Sequence, residues 1–150
     1  MPNNTPTVEI DHISVNVRDL KRARKFYEKA LGAIGMKINM DVSSAFGMGP
    51  KNEKIFWLAR DRNATGHGHY ALRVGRRQDV DAFYDAALAA GGTDNGPPGP
   101  RPKYGRGYYA AFVKDTEGNN IEIVCYTTAA NGTKKRASKK PSRSMQAAHA

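Results

Sequence analysis

The stretch HISVNVRDLKRARKFYEKALGAIG, residues 12–35, recurs 57 residues later as HYALRVGRRQDVDAFYDAALAAGG, residues 69–92. Without a gap, the shift lays His12 on His69, Phe26 on Phe83, Tyr27 on Tyr84, Leu31 on Leu88 and Gly35 on Gly92. Each copy opens on alternating residues, passes into apolar residues at helical spacing and leaves on glycine, so each reads as a strand, an amphipathic helix and an exit. The duplication predicts two modules related by a pseudo-two-fold, with one imidazole at the equivalent strand position of each. Paired imidazoles point to a metal.

Working outward from the first copy, VEIDHISVNV (8–17) reads as a strand with Ile10, His12, Ser14 and Asn16 on one face and Asp11, Ile13, Val15 and Val17 on the other. Asp19 is the expected N-cap, and Leu20, Ala23, Phe26, Tyr27, Ala30 and Leu31 form the apolar helix face that Gly32 and Gly35 terminate. Three short strands are expected between 36 and 60, at MKINMD, SAFGM and KIFWLA. In the second copy GHGHYALRV puts His67, His69, Ala71 and Arg73 on one face, followed by a helix over about 77–91. GTDNGPPGPRPKYGRG (92–107) reads as a long loop with at most one short extended piece, and YYAAFVKD and NNIEIVCY as a hairpin across DTEGN. The expected fold is α+β: one domain over 8–127 made of two β-α-β-β-β modules, 8–60 and 66–127, with a flexible start at 1–7 and a basic tail at 128–150.

A chain of 150 residues with 39% apolar content can bury a core without disulfides. No apolar run approaches the ~20 residues of a membrane span, and residues 1–7 lack the pattern of a signal peptide, so a cytoplasmic protein is expected. The lone Cys125, inside IEIVCY, is expected as a packed core thiol. Of the net charge of +10, Lys134, Lys135, Arg136, Lys139, Lys140 and Arg143 contribute six in a tail without acids. That composition predicts a disordered, solubilising extension rather than a nucleic-acid arm. The arginines spread over the body, Arg18, Arg73, Arg76, Arg101 and Arg106, suit an anionic small-molecule substrate.

Glu122 stands inside an otherwise apolar strand, where an isolated carboxylate is costly unless a partner or a cation meets it. His12, His69 and Glu122 together would give two imidazoles and one carboxylate around a divalent ion, leaving positions for water and substrate. His67 shares a face with His69 in this reading and suits substrate contact or support of the ligand, or is simply an exposed residue at a strand start, His69 being the ligand because it alone matches His12 in the repeat. Tyr104 and Tyr108 flank the long loop among Arg101, Lys103 and Arg106, a mixture that would orient an anionic or phenolic substrate or serve simply as a solvated basic loop. Trp57 would line the cavity or belong to the core.

Taken as a whole, DHISVNVRDLKRARKFYEKALGAIG, HYALRV followed by DVDAFYDAALAAGG, and YYAAFVKDTEGNNIEIVCY resemble the vicinal oxygen chelate superfamily. That group includes glyoxalases, fosfomycin-modifying enzymes, extradiol dioxygenases and bleomycin-resistance proteins. The resemblance covers about residues 8–127 and implies two modules whose mixed sheets curl around a cavity, with metal ligands on the first and last strands, here His12, His69 and Glu122. KIFWLAR carries no His, Glu or Gln where a glyoxalase I-like enzyme places its fourth ligand. The resemblance implies a lyase, isomerase or transferase using one divalent ion (Mn, Ni, Co, Zn or Fe) to chelate adjacent substrate oxygens. Glu122, a metal-bound hydroxide or Tyr126 would serve as proton acceptor. It also implies a homodimer, the triad coming from one chain or from two. The rival expectations are an Fe(II) extradiol-type dioxygenase and a metal-free, bleomycin-resistance-like binding protein.

Overall fold

A computed structural model describes residues 5–127. Strand β1, Ile13–Val17, buries Val15 and Val17 and leaves Ser14 and Asn16 exposed, as alternation requires. Asp19 then caps helix α1, Leu20–Ala30, its carboxylate accepting the Arg22 N–H at 2.9 Å, and the helix buries Ala23, Phe26, Tyr27 and Ala30. After a 3-10 turn, Gly35 at φ 85° reverses the chain in the left-handed region where glycine carries no steric penalty. The module continues through β2 (Lys37–Val42), β3 (Ala45–Gly49) and β4 (Phe56–Arg60). The second module repeats the plan with β5 (His69–Arg73), α2 (Arg77–Ala89), β6 (Thr93–Pro100), β7 (Tyr108–Lys114) and β8 (Asn120–Tyr126).

Each module forms its own open four-stranded mixed sheet, in the orders β1-β4-β3-β2 and β5-β8-β7-β6. In both, the last strand runs parallel to the first and antiparallel to its other neighbour. The expected α+β fold of two β-α-β-β-β modules is therefore present, as two four-stranded sheets that do not close on one another. The helices cover the apolar sheet faces and touch each other, joining Phe26, Tyr27, Leu31, Phe56, Leu58, Phe83, Ile121 and Ile123 in one core. Phe56 and Tyr70 meet edge to face at 6.3 Å, and a Cβ at Gly92 would fall 2.8 Å from the Phe26 ring, so the modules pack closely at their backs.

The turn between β7 and β8 ties the modules together through polar groups. Glu117, its side chain 6% exposed, accepts the Arg18 and Asp19 N–H groups at 2.6 and 2.8 Å, just ahead of α1. Tyr27 donates to Asp115 at 2.5 Å inside the core, while within the second module Asn119 accepts the Gly68 N–H at 3.0 Å. Burial, with the Asp115 carboxylate next to it, holds the Tyr27 phenol well above its usual pKa.

The structure corrects three local expectations. The first strand begins at Ile13, not Val8: the β1–β4 ladder starts there, and Val8 and Ile10 remain 91% and 83% exposed. The second module's strand begins at His69, because the Gly68 N–H turns aside to Asn119, so His67 lies ahead of it. The Gly- and Pro-rich stretch read as a loop holds the eight-residue strand β6. It lies at the sheet edge and is irregular between Asp94 and Gly99, where prolines that cannot donate are tolerated. The expected tail at 128–150 and the first four residues of the expected flexible start lie outside the described residues.

Candidate functional site

With one face of each sheet turned to its helix, the other faces stand open. On the second sheet, Ala71 pairs with Glu122 and Glu122 with Phe112, while His69 precedes Ala71 by two residues and so shares its face. The His69 Nε2 lies 3.1 Å from Glu122 Oε2, and Glu122 is only 3% exposed. The His69 ring stacks on Phe112 at 6.4 Å between centroids. Tyr108, two rows away on β7, leans back to donate its hydroxyl to Glu122 Oε1. Burial and that carboxylate together push the Tyr108 phenol above its ordinary pKa.

The protonation pattern at His69 narrows what can stand between the two side chains. Its Nδ1 faces the Asn120 carbonyl at 3.2 Å, and a carbonyl only accepts, so Nδ1 carries the proton. In the neutral ring Nε2 then presents a lone pair to the Glu122 carboxylate. Two acceptors at that separation repel unless a second ring proton or a cation lies between them. A protonated imidazole would make the contact an ion pair, and a divalent ion would equally be held by the two side chains, with the Asn120 carbonyl fixing the ring orientation and Tyr108 the carboxylate. The pair is chemically suited to serve as two members of a metal ligand set.

His12 stands apart. It precedes β1, its side chain is 56% exposed, and its Nδ1 meets Asp11 Oδ2 at 2.5 Å. Among the described residues of one chain, no three His, Cys, Asp or Glu side chains converge on a point that could hold an ion. The chain brings together two members of the expected triad and leaves the third on the other module.

The remaining expected site residues divide among three places. Tyr126 packs edge to face on Tyr108 at 5.0 Å and lies under the Arg73 guanidinium at 4.4 Å; Tyr104 packs on Tyr108 at 5.5 Å. The Arg101 guanidinium lies 5.6 Å from the Phe112 ring centroid, tethered to the Pro97 carbonyl at 2.7 Å. Tyr104 and Tyr126 thus pack on the phenol that bonds Glu122, and Arg101 on the ring opposite it. His67 instead lines a separate cleft of about 230 Å³ with Ser14, Asn16, Asp61 and Asn119. Trp57 lies on the first sheet. It pairs with Ser14 and Gly47 as Glu122 pairs with Ala71 and Phe112, and Ser14 is the repeat partner of Ala71, so Trp57 holds in module one the position of Glu122 in module two.

Sequence reading missed the direct bond from Tyr108 to Glu122 and the part of Phe112 as the surface beneath His69. The signal was available in the hairpin: pairing YYAAFVKD against NNIEIVCY puts Tyr108, Ala110 and Phe112 on the face of Tyr126, Val124 and Glu122.

Comparison with known proteins agrees with this architecture. Residues 9–123 match the model of the Glyoxalase/Bleomycin resistance protein/Dioxygenase superfamily. The lactoylglutathione lyase GLX1 of Arabidopsis thaliana is 31% identical over 128 residues, covering 75% of this chain and 42% of the plant protein. A Brassica oleracea var. gemmifera protein named provisionally for the same activity is 33% identical, with 75% of this chain and 43% of that one covered. The chain thus spans less than half the length of these plant relatives. The crystal structure of a glyoxalase/bleomycin resistance protein from Albidiferax ferrireducens T118 superposes with a TM-score of 0.67 at 27% identity, over 78% of this chain and 98% of that one. The lactoylglutathione lyase of Agrobacterium tumefaciens gives a TM-score of 0.62 at 17% identity, over 79% and 94%. Two β-α-β-β-β modules and the matching family model make this chain a member of the glyoxalase/bleomycin resistance protein/dioxygenase superfamily.

Proposed function

We propose that the chain is a divalent-metal-dependent enzyme of the lyase, isomerase or transferase type, acting on a small substrate that presents two adjacent oxygens. The observation that carries this reading is the 3.1 Å approach of His69 Nε2 to the buried Glu122 carboxylate, with Nδ1 facing the Asn120 carbonyl. The lactoylglutathione lyase relatives favour lyase chemistry over oxygenation. The absence of a fourth donor at Trp57 leaves the particular substrate open to difference from theirs.

The third donor in this reading is His12 Nε2 of a second copy of the chain. A homodimer with two-fold symmetry would bring His12 of each copy to the His69–Glu122 pair of the other. A bound divalent ion supplies Lewis acidity, lowering the energy of negative charge on the chelated substrate oxygens. With Oε1 engaged by the Tyr108 hydroxyl and Oε2 turned to His69, Glu122 would take a proton only at an Oε2 released from its role as ligand. Tyr108 remains protonated at neutral pH and steadies the carboxylate, while Tyr126 packs behind it. Arg73 and Arg101 flank this face and favour an anionic substrate.

The test is metal content by plasma mass spectrometry after reconstitution with Mn, Fe, Co, Ni and Zn, beside His69→Ala and Glu122→Ala. A stoichiometric ion lost in both variants is the expected result. Selective retention of iron with oxygen consumption on a catechol would replace the reading by extradiol oxygenation. Failure to retain any ion would replace it by metal-free ligand binding.

A further inference from the structure

The exchange at Trp57 involves two positions, not one. Across the last two strands of the second module Phe112 stands opposite Glu122, and across those of the first Gly47 stands opposite Trp57. A Cβ at Gly47 would approach the indole carbons Cε2, Cζ2 and Cδ2 to 2.8, 2.9 and 3.0 Å, so the ring lies directly on the glycine backbone. Its Nε1 donates to the Lys54 carbonyl at 3.1 Å, which fixes the ring and occupies its one polar atom. The half-buried indole is therefore a rigid apolar plane on the open face of the first sheet, with Ser14 beside it on the strand that follows His12.

We infer that Trp57 of the copy that supplies His12 is a stacking platform for a planar aromatic group borne by the substrate next to its two chelating oxygens, in the slot where a fourth donor would otherwise stand. The inference rests on the reading of His12, His69 and Glu122 as the metal ligands. With a ring in place of a donor, one more coordination position is left to the substrate, and the surface next to that position is a π-face. A flat conjugated substituent gains there through offset stacking on a ring that loses no further freedom. A small aliphatic substituent gains little.

Benzohydroxamate and acetohydroxamate test this, since both chelate through the same adjacent oxygens and differ by phenyl against methyl. The probes are titrated into the full chain reconstituted with zinc, by calorimetry and by emission of Trp57, the sole tryptophan of the sequence. Benzohydroxamate is expected to bind about tenfold more tightly than acetohydroxamate, beyond any difference measured with free zinc, and to quench Trp57. Trp57→Leu is expected to remove the preference and Trp57→Phe to restore most of it, with zinc content and melting temperature certifying that both variants are folded. Equal affinities in the native chain, or a preference that survives Trp57→Leu, would overturn the stacking role and leave the metal site standing. Loss of zinc from the native chain, or no binding of either hydroxamate to the zinc-loaded protein, would overturn the metal reading and the stacking role with it.

Discussion

Two variants that each lose zinc should recover part of it when mixed. In one chain His69 and Glu122 lie 3.1 Å apart, whereas His12 pairs with Asp11 on the other module, and no third donor reaches the pair among the described residues. If each site takes His12 from one copy and His69 with Glu122 from the other, then His12→Ala and Glu122→Ala homodimers contain no complete site. Random reassociation of equal amounts makes half the dimers mixed. Each mixed dimer holds one intact site and one doubly broken site, so roughly one quarter of all sites should return under two-fold symmetry. The assay is joint refolding from denaturant, exchange of excess zinc, metal analysis and native mass spectrometry to count mixed dimers. Mixed dimers that hold no zinc would refute the shared site, as would either variant alone retaining a full complement.

Three further outcomes follow from particular contacts. Tyr108→Phe removes the hydroxyl donor from Glu122 Oε1 and should weaken zinc binding by about 10–100-fold in competition with a chromophoric chelator. Gly47→Ala forces the Trp57 indole off its seat, so a red shift of tryptophan emission and a loss of about 1–3 kcal/mol in urea unfolding are expected. Tyr27→Phe deprives buried Asp115 of one donor and should cost about 1.5–3 kcal/mol by the same measurement. The Tyr27 phenol is also held above its usual value, so the native fold loses stability as pH rises beyond about 10, where the unfolded chain ionises first; that part of the alkaline slope should vanish in the Phe variant.

Much of this was legible because the duplication prints its own check. The pairing of His12 with His69 located both first strands, and the helices followed from spacing and from Asp19. Glu122 announced itself as a carboxylate in an apolar strand, and its partner proved to be His69. Strand β6 was hidden because its prolines and glycines argue for a loop, and only the edge position makes them tolerable. His67 was misread as a strand residue because alternation cannot register that the Gly68 N–H is claimed by Asn119, 51 residues away. The distance between His12 and the other two donors was not legible at all. A repeat reports that two positions are equivalent, not whether the symmetry axis brings them together.

That separation is built into the way the modules are fastened. For one chain to close its own triad, the first sheet would have to swing round so that its open face met that of the second. Such a swing would pull the β7–β8 turn from α1, breaking the bonds from Arg18 and Asp19 to Glu117 and from Tyr27 to Asp115. Of these the Tyr27–Asp115 pair is buried, and a buried group left without its partner costs about 1–3 kcal/mol, more where a carboxylate is involved. It would also tear the contact between Phe56 and Tyr70 and the close approach of Gly92 to Phe26. Association of two copies breaks none of these. It can use the unpaired stretch ahead of β1, where Val8 and Ile10 are exposed beside His12. The fastening that makes the modules one core is thus the reason a complete site is sought between chains rather than within one.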